Sequence, residues 1–102
     1  MTHHTPGPWT VQPNSRTVGR GAWIHDETGN NVALACGTSD ENANANAHLI
    51  AAAPELYEAL EKIVIDEENR RKSLRTNSPA AQFSDKRLAA ARAALAKARG
   101  EL

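Results

Sequence analysis

The side chains with chemical potential are few and scattered. Cys36 is the single cysteine, and His25 and His48 are the histidines outside the leading residues. A cysteine nucleophile with a histidine base needs partners that meet only in the fold. A small cysteine on a strand is more often inert packing. Cys36 has no neighbouring Cys or His at zinc-finger spacing, and His3 and His4 sit at the very start, so no structural metal is expected. Gly19-Arg20-Gly21 lacks the Gly-Lys-Ser/Thr ending of a phosphate loop. No catalytic arrangement stands out, no cofactor is implied, and the expectation is a protein that is not an enzyme.

Two binding surfaces remain. Trp23 and His25 are two residues apart, so a strand would place them on one face. A Trp beside a His suits contact with a protein partner, a base or a small ring. Arg16 and Arg20, in the preceding segment, could add positive charge for an anionic ligand. The alternative is that Trp23 turns inward and belongs to the core. The second surface is the cationic cluster Arg70, Arg71, Lys72 and Arg75, an anion site or a solvated helix end.

Charge is strongly segregated. Asp40 to Glu68 carries acids with Lys62 as its one base, whereas Arg70 to Arg99 carries bases with Asp85 as its one acid. A basic half can contact phosphate, as nucleic-acid binders do. The same layout also lets an acidic and a basic helix lie antiparallel and neutralise each other. Twelve bases balance twelve acids, so long-range attraction to nucleic acid is weak.

These groups need elements to position them. At 102 residues the chain fits one domain, residues 1–102. Nearly half of its apolar residues are alanine, so the core is thin and a partner subunit could supply missing burial. A homo-oligomer is therefore expected. No apolar run approaches the ~20 residues of a membrane span. The first residues lack a signal-peptide pattern, so no membrane partner and a cytoplasmic location are expected.

Pro6 and Pro8 exclude helix from an extended lead over 1–8. Trp9 to Gln12 alternates like a short strand, and 13–21 reads as a loop. Ala22 to Asp26 and Asn30 to Cys36 form a hairpin around Glu27-Thr28-Gly29. The expected register sets Ile24 opposite Val32 and Ala22 opposite Leu34 on the core face, with Trp23 and His25 on the other. A one-residue slip reverses that.

Ser39, Asp40 and Asn42 can start a helix. Asn42, Asn44 and Asn46 form no single stripe; one can cap the helix and another can bond to the sheet or loop backbone. Leu49, Ile50, Ala53, Leu56, Tyr57, Leu60, Ile63 and Val64 recur at helical steps. Pro54 either kinks one helix from about Glu41 to about Arg70 or opens a second one, and the kinked helix is preferred. Ser73 to Phe83 reads as a loop. Ser84-Asp85 then caps a last helix to Arg99, with Leu88, Ala91, Leu95 and Ala98 as its stripe and Gly100 as its stop. The fold class is α+β: an antiparallel sheet of about three strands, a long kinked helix and a second antiparallel helix.

Thr5-Pro6-Gly7-Pro8-Trp9, then Ile24-x-Asp26 and Gly29-x-x-Val32-Ala33, resemble the start of a family of small phage and prophage proteins. Asn46-Ala47-His48-Leu49-Ile50-Ala51-Ala52-Ala53-Pro54-Glu55-Leu56-Tyr57-Glu58-Ala59-Leu60-Glu61 resembles that family's hallmark helix, and Ala91 to Arg99 its ending. The insert from Asp66 to Phe83 carries no part of the resemblance. The resemblance implies origin more than activity and transfers no catalytic residue. It implies a non-enzymatic phage accessory protein that binds a host factor or a small anionic nucleotide, counter-defence included. A small nucleic-acid-binding module is the second reading and a nucleotide hydrolase the third.

Overall fold

The computed structural model describes residues 4–12 and 21–101. The chain divides into two compact units, Met1–Leu56 and Tyr57–Leu102. Its elements are β1 (Thr10–Val11), β2 (Ala22–His25), β3 (Asn31–Ala35), α1 (Asp40–Ala51), α2 (Ala53–Lys72) and α3 (Pro79–Ala98). The class is α+β, with a three-stranded antiparallel sheet in the order β1-β2-β3.

The hairpin turn forms at the expected residues. Asp26 donates its N–H to the Asn30 carbonyl at 2.9 Å, and Gly29 donates to the Asp26 carbonyl at 3.1 Å. Gly29 has φ +90°, a conformation that glycine adopts without strain. The register beyond it differs from expectation. Ile24 opposes Ala33 and Ala22 opposes Ala35, because an irregularity between Ile24 and His25 absorbs one residue, Val32. Ile24 still faces inward and is fully buried. Leu34 leaves the core face and stands opposite Trp23.

Helix α1 covers one face of this sheet and meets all three strands. Ile24, Ala35 and Ala47 are the buried centre, with Trp9, Val11, Ala22, Val32, Ala33, Ile50 and Ala51 packed around them. The crossing from β3 into α1 is tight. The Asn46 side-chain amide donates to the Cys36 carbonyl at 2.8 Å. Ser39 caps the helix by accepting from the Asn42 N–H at 3.1 Å, while Asn42 Oδ1 accepts from the Thr38 N–H at 3.4 Å. Two of the three asparagines thus satisfy backbone groups at the helix entrance.

The long kinked helix is two helices. Ala52 ends α1, and its N–H reaches back to His48 and Ile50. Pro54 is the second residue of α2, where a missing N–H costs least. It cannot donate to Ile50, and its ring would strike that carbonyl in a continuous helix. Pro54 is buried, and the extended lead lies against it. A Cβ on Gly7 would stand 2.9 Å from the Pro54 Cβ.

In the second unit, α3 begins at Pro79 rather than after Ser84. Ser78 caps it by accepting from the Ala81 N–H at 3.1 Å, and Pro79 fills the first turn. This Ser-Pro pair is a stronger start than Ser84-Asp85. The stop is as expected. Gly100, at φ +76°, donates to the Lys97 carbonyl and Glu101 to that of Ala96, the paired bonds of a Schellman motif.

The expected apolar stripes are only partly inside. Val64, Leu88 and Leu95 are buried together, with Tyr57, Leu60 and Ala91 half-buried around them. Of the stripe residues, Leu49, Ala53, Leu56, Ile63 and Ala98 are exposed; Ile65 and Phe83, which lie outside the stripes, are exposed as well.

The crossing into α1 yields a stability test. A Cβ on Gly37 would collide with Asn42 Oδ1 and lie 2.7 Å from the Ala43 backbone nitrogen. Gly37→Ala should destabilise the protein by ~1–3 kcal/mol, the range for overpacking. Urea unfolding measures it, and an unchanged midpoint would show that α1 does not sit this close.

Candidate functional site

Trp23 and His25 alternate with Ile24 on β2 and therefore point to the sheet face opposite α1. Both are half-buried. Trp23 pairs across the strands with Leu34, and His25 stands between Thr10 and Asn31. This face thus carries an aromatic, a leucine and an imidazole side by side. Arg16 and Arg20 lie outside the described residues. Beside the face, Asp26 Oδ1 accepts from the Thr28 hydroxyl at 2.7 Å, the Thr28 N–H at 2.9 Å and the Asn30 N–H at 3.0 Å. The Thr28 hydroxyl above all, with these backbone bonds, holds the Asp26 carboxyl below its ordinary pKa.

The cationic cluster is divided. Arg70 pairs with Glu67 at 3.2 Å. Arg71 forks onto Asp85, at 2.8 Å from Nε and 3.4 Å from the second nitrogen. Lys72 and Arg75 are exposed and make no ion pair with another described residue.

Further pairs tie α2 to α3. Arg87 meets Glu67 at 3.3 Å, Arg92 meets Glu68 at 2.6 Å and Arg99 meets Glu61 at 3.1 Å. Arg99 also donates from Nε to the Tyr57 hydroxyl at 2.6 Å and lies over the Tyr57 ring. The Tyr57 bond first, and then Glu61, raise the Arg99 pKa. Acidic α2 and basic α3 therefore neutralise each other within this unit. Between them runs an open groove of about 240 Å³, with buried Val64 and Leu95 at its base, Glu61, Ile65 and Glu68 on one side and Arg92 and Arg99 on the other.

Ser84 is the buried polar residue of this interface, and its hydroxyl has no partner in hydrogen-bonding geometry. It lies close enough to the Glu67 carboxylate to favour the charged form. Ser84 is the leading cause of the lowered Glu67 pKa, followed by the charges of Arg87 and Arg70. The Asp85 carboxyl is lowered by its bond from Arg71 and by the charges of Arg71 and Arg92.

Among the described residues, no group of three or more His, Cys, Asp and Glu side chains could hold a metal ion. Cys36 is exposed and lies one residue beyond β3, not packed on the strand as expected. His48 is exposed in the last turn of α1.

Two of the sequence stretches that carry the phage resemblance meet in space, since Gly7 of the lead rests on Pro54 of the hallmark helix. The family model of Salmonella phage P22 protein Y8K6 matches residues 1–102, the length of the chain. The chain belongs to the Y8K6 family. No curated protein and no solved structure matches it. Membership makes this a phage protein, and no helix among its described residues is long and apolar enough to cross a membrane.

Sequence reasoning missed Leu34 beside Trp23, because the one-residue slip moved it to this face. It also missed Ile65, which falls outside the stripe through Ile63 and Val64. The signal for Ile65 was available: Glu61, Ile65 and Glu68 share one helix face at steps of four and three.

Acid should weaken the fold through these carboxylates. Asp26 and Asp85 lie below an ordinary 3.8 and Glu67 below an ordinary 4.5. The unfolded chain then binds more protons, so the contribution is whole above those values and lost as pH falls through the lowered ones. Urea midpoints should hold steady from neutral pH to about 5 and drop below it. In Asp85→Asn the drop should be shallower; an equal slope would mean that the Arg71 pair does not persist in solution.

Proposed function

We propose that this Y8K6-family protein is a non-enzymatic phage accessory protein that binds a host protein through the sheet face carrying Trp23, Leu34 and His25. The carrying observation is that face itself, with an aromatic paired to a leucine on the side away from α1. Trp is among the residues that most often dominate interface energies, above all when ringed by apolar neighbours.

The charge layout favours a protein partner over nucleic acid or a small anionic nucleotide. Arg70, Arg71, Arg87, Arg92 and Arg99 each have an acidic partner in the chain. Phosphate binding there would compete with carboxylates that already neutralise these guanidinium groups. Lys72 and Arg75 alone make a weak anion site, and binding carried by them would fall steeply with salt.

The test is affinity capture from phage-infected cells, followed by titration of the captured host protein in purified form. Wild type should bind it, and Trp23→Ala should weaken binding roughly thirtyfold or more, the ~2 kcal/mol scale of a hot spot, with its circular dichroism unchanged. If Trp23→Ala binds as wild type does, the sheet face is not the surface. If binding instead disappears at high salt and returns with DNA or RNA as ligand, the cationic reading replaces this one.

A further inference from the structure

We infer that the α2–α3 groove is a self-association surface, and that its occupant is the same groove of a second copy of this chain, giving a four-helix seam. This does not rest on the reading of the sheet face, which lies in the other unit.

The argument begins with spacing. On α2, Glu61, Ile65 and Glu68 form an acid–apolar–acid row. On α3 and its C-cap, Arg92, Leu95 and Arg99 form a base–apolar–base row. Each row repeats at steps of three and four, so each occupies one helix face. The groove therefore has an acidic wall, a basic wall and an apolar floor. A two-fold axis running along the groove, parallel to the helices, sets the acidic wall of one copy against the basic wall of the other, and does so twice; an axis across the groove would instead oppose like charges. A two-fold interface must be complementary to itself, and this one is. Another partner would have to bring the same pattern, which a second copy carries by construction.

The charged groups have capacity left for this. Arg92 uses one terminal nitrogen, on Glu68, and each of Glu61 and Glu68 accepts through one oxygen. An Arg presents five donors and a carboxylate about four acceptor positions. The apolar part is also unfinished. Ile65 is 58% exposed at the groove wall, while Val64 and Leu95 beneath it are buried. Two helices have a single seam, whereas stable helical bundles close a core with more. The facing rows cover residues 61–68 and 92–99, about 12 Å at 1.5 Å per residue, so a dimer burying about 800 Å² on each partner would also engage the flanking turns of both helices within this unit.

Sedimentation equilibrium and chemical cross-linking test this on the full chain. Wild type should have a mass twice the 11.0 kDa of the chain. Ile65→Glu should halve that mass with its helical circular dichroism retained. Ile63→Glu, an exposed isoleucine outside the groove, should leave it unchanged. In a Cys36→Ser background, a bismaleimide should join two copies of Ile65→Cys but not of Ile63→Cys. If Ile65→Glu loses its helices, the cross-linking pattern decides. A monomer at every concentration, an assembly whose mass Ile65→Glu leaves intact, or cross-linking through Ile63→Cys and not Ile65→Cys would each overturn the inference.

Discussion

The 2.8 Å bond from the Asn46 side-chain amide to the Cys36 carbonyl holds the chain where it leaves the sheet and enters α1. That bond spans ten residues, and it closes only if the turn between them is small. Gly37 permits this, because a Cβ there would meet Asn42 and the Ala43 backbone. With the turn drawn in, Ala43 and Ala47 are buried, and Ala47 shares the centre of the core with Ile24 and Ala35. Larger side chains at these positions would lift the helix from the sheet. Close approach is how a chain poor in large apolar residues still builds a close-packed interior.

Alanine has another role in the second unit. Ala81 is buried in α3, but Ala89, Ala90, Ala93 and Ala94 face outward. There alanine supports the helix through its propensity rather than through packing. The interior of that unit is left to Val64, Leu88 and Leu95 and their half-buried neighbours. The same residue type makes a close-packed layer in one unit and a solvent-facing helix surface in the other. Alanine content alone does not separate the two cases, and the burial pattern does.

Much of this fold was legible in the chain, and the misses have local causes. Asp26 to Gly29 announced the hairpin because Asp and Gly there meet the demands of one turn type. Gly100 announced the helix stop for the same kind of reason. The pairing beyond the turn was not legible, because taking up Val32 depends on how the whole strand seats against α1. The start of α3 was misplaced because two serines compete for the cap; Ser78, with Pro79 after it, wins, and Ser84 goes inside. The stripe of α2 was overread, since periodicity marks a face that can be buried without saying that anything buries it. Of the sheet-face residues, Trp23 and His25 were legible from alternation alone. Leu34 depended on the register, and the groove on how two helices align.

That alignment is a matter of charge. The pairs Arg87–Glu67, Arg92–Glu68, Arg99–Glu61 and Arg71–Asp85 all span α2 and α3. Exposed pairs of this kind contribute little to stability, each about 0–1 kcal/mol. Their stronger effect is on register. Sliding α3 along α2 by one turn would move several arginines away from their carboxylates at once and set like charges nearer each other. The ion pairs thus select the antiparallel alignment, while the few buried side chains and the Tyr57–Arg99 bond hold it. Charge used in this way is not available for long-range attraction, in keeping with a chain whose net charge is zero. The proposed contacts are short-range: the shape and apolar area of Trp23 and Leu34 on the sheet, and in the groove Ile65 together with the match of acidic and basic walls. Contacts of that kind form only when surfaces fit closely, so their selectivity would come from shape and from charge matched at contact distance, not from long-range attraction.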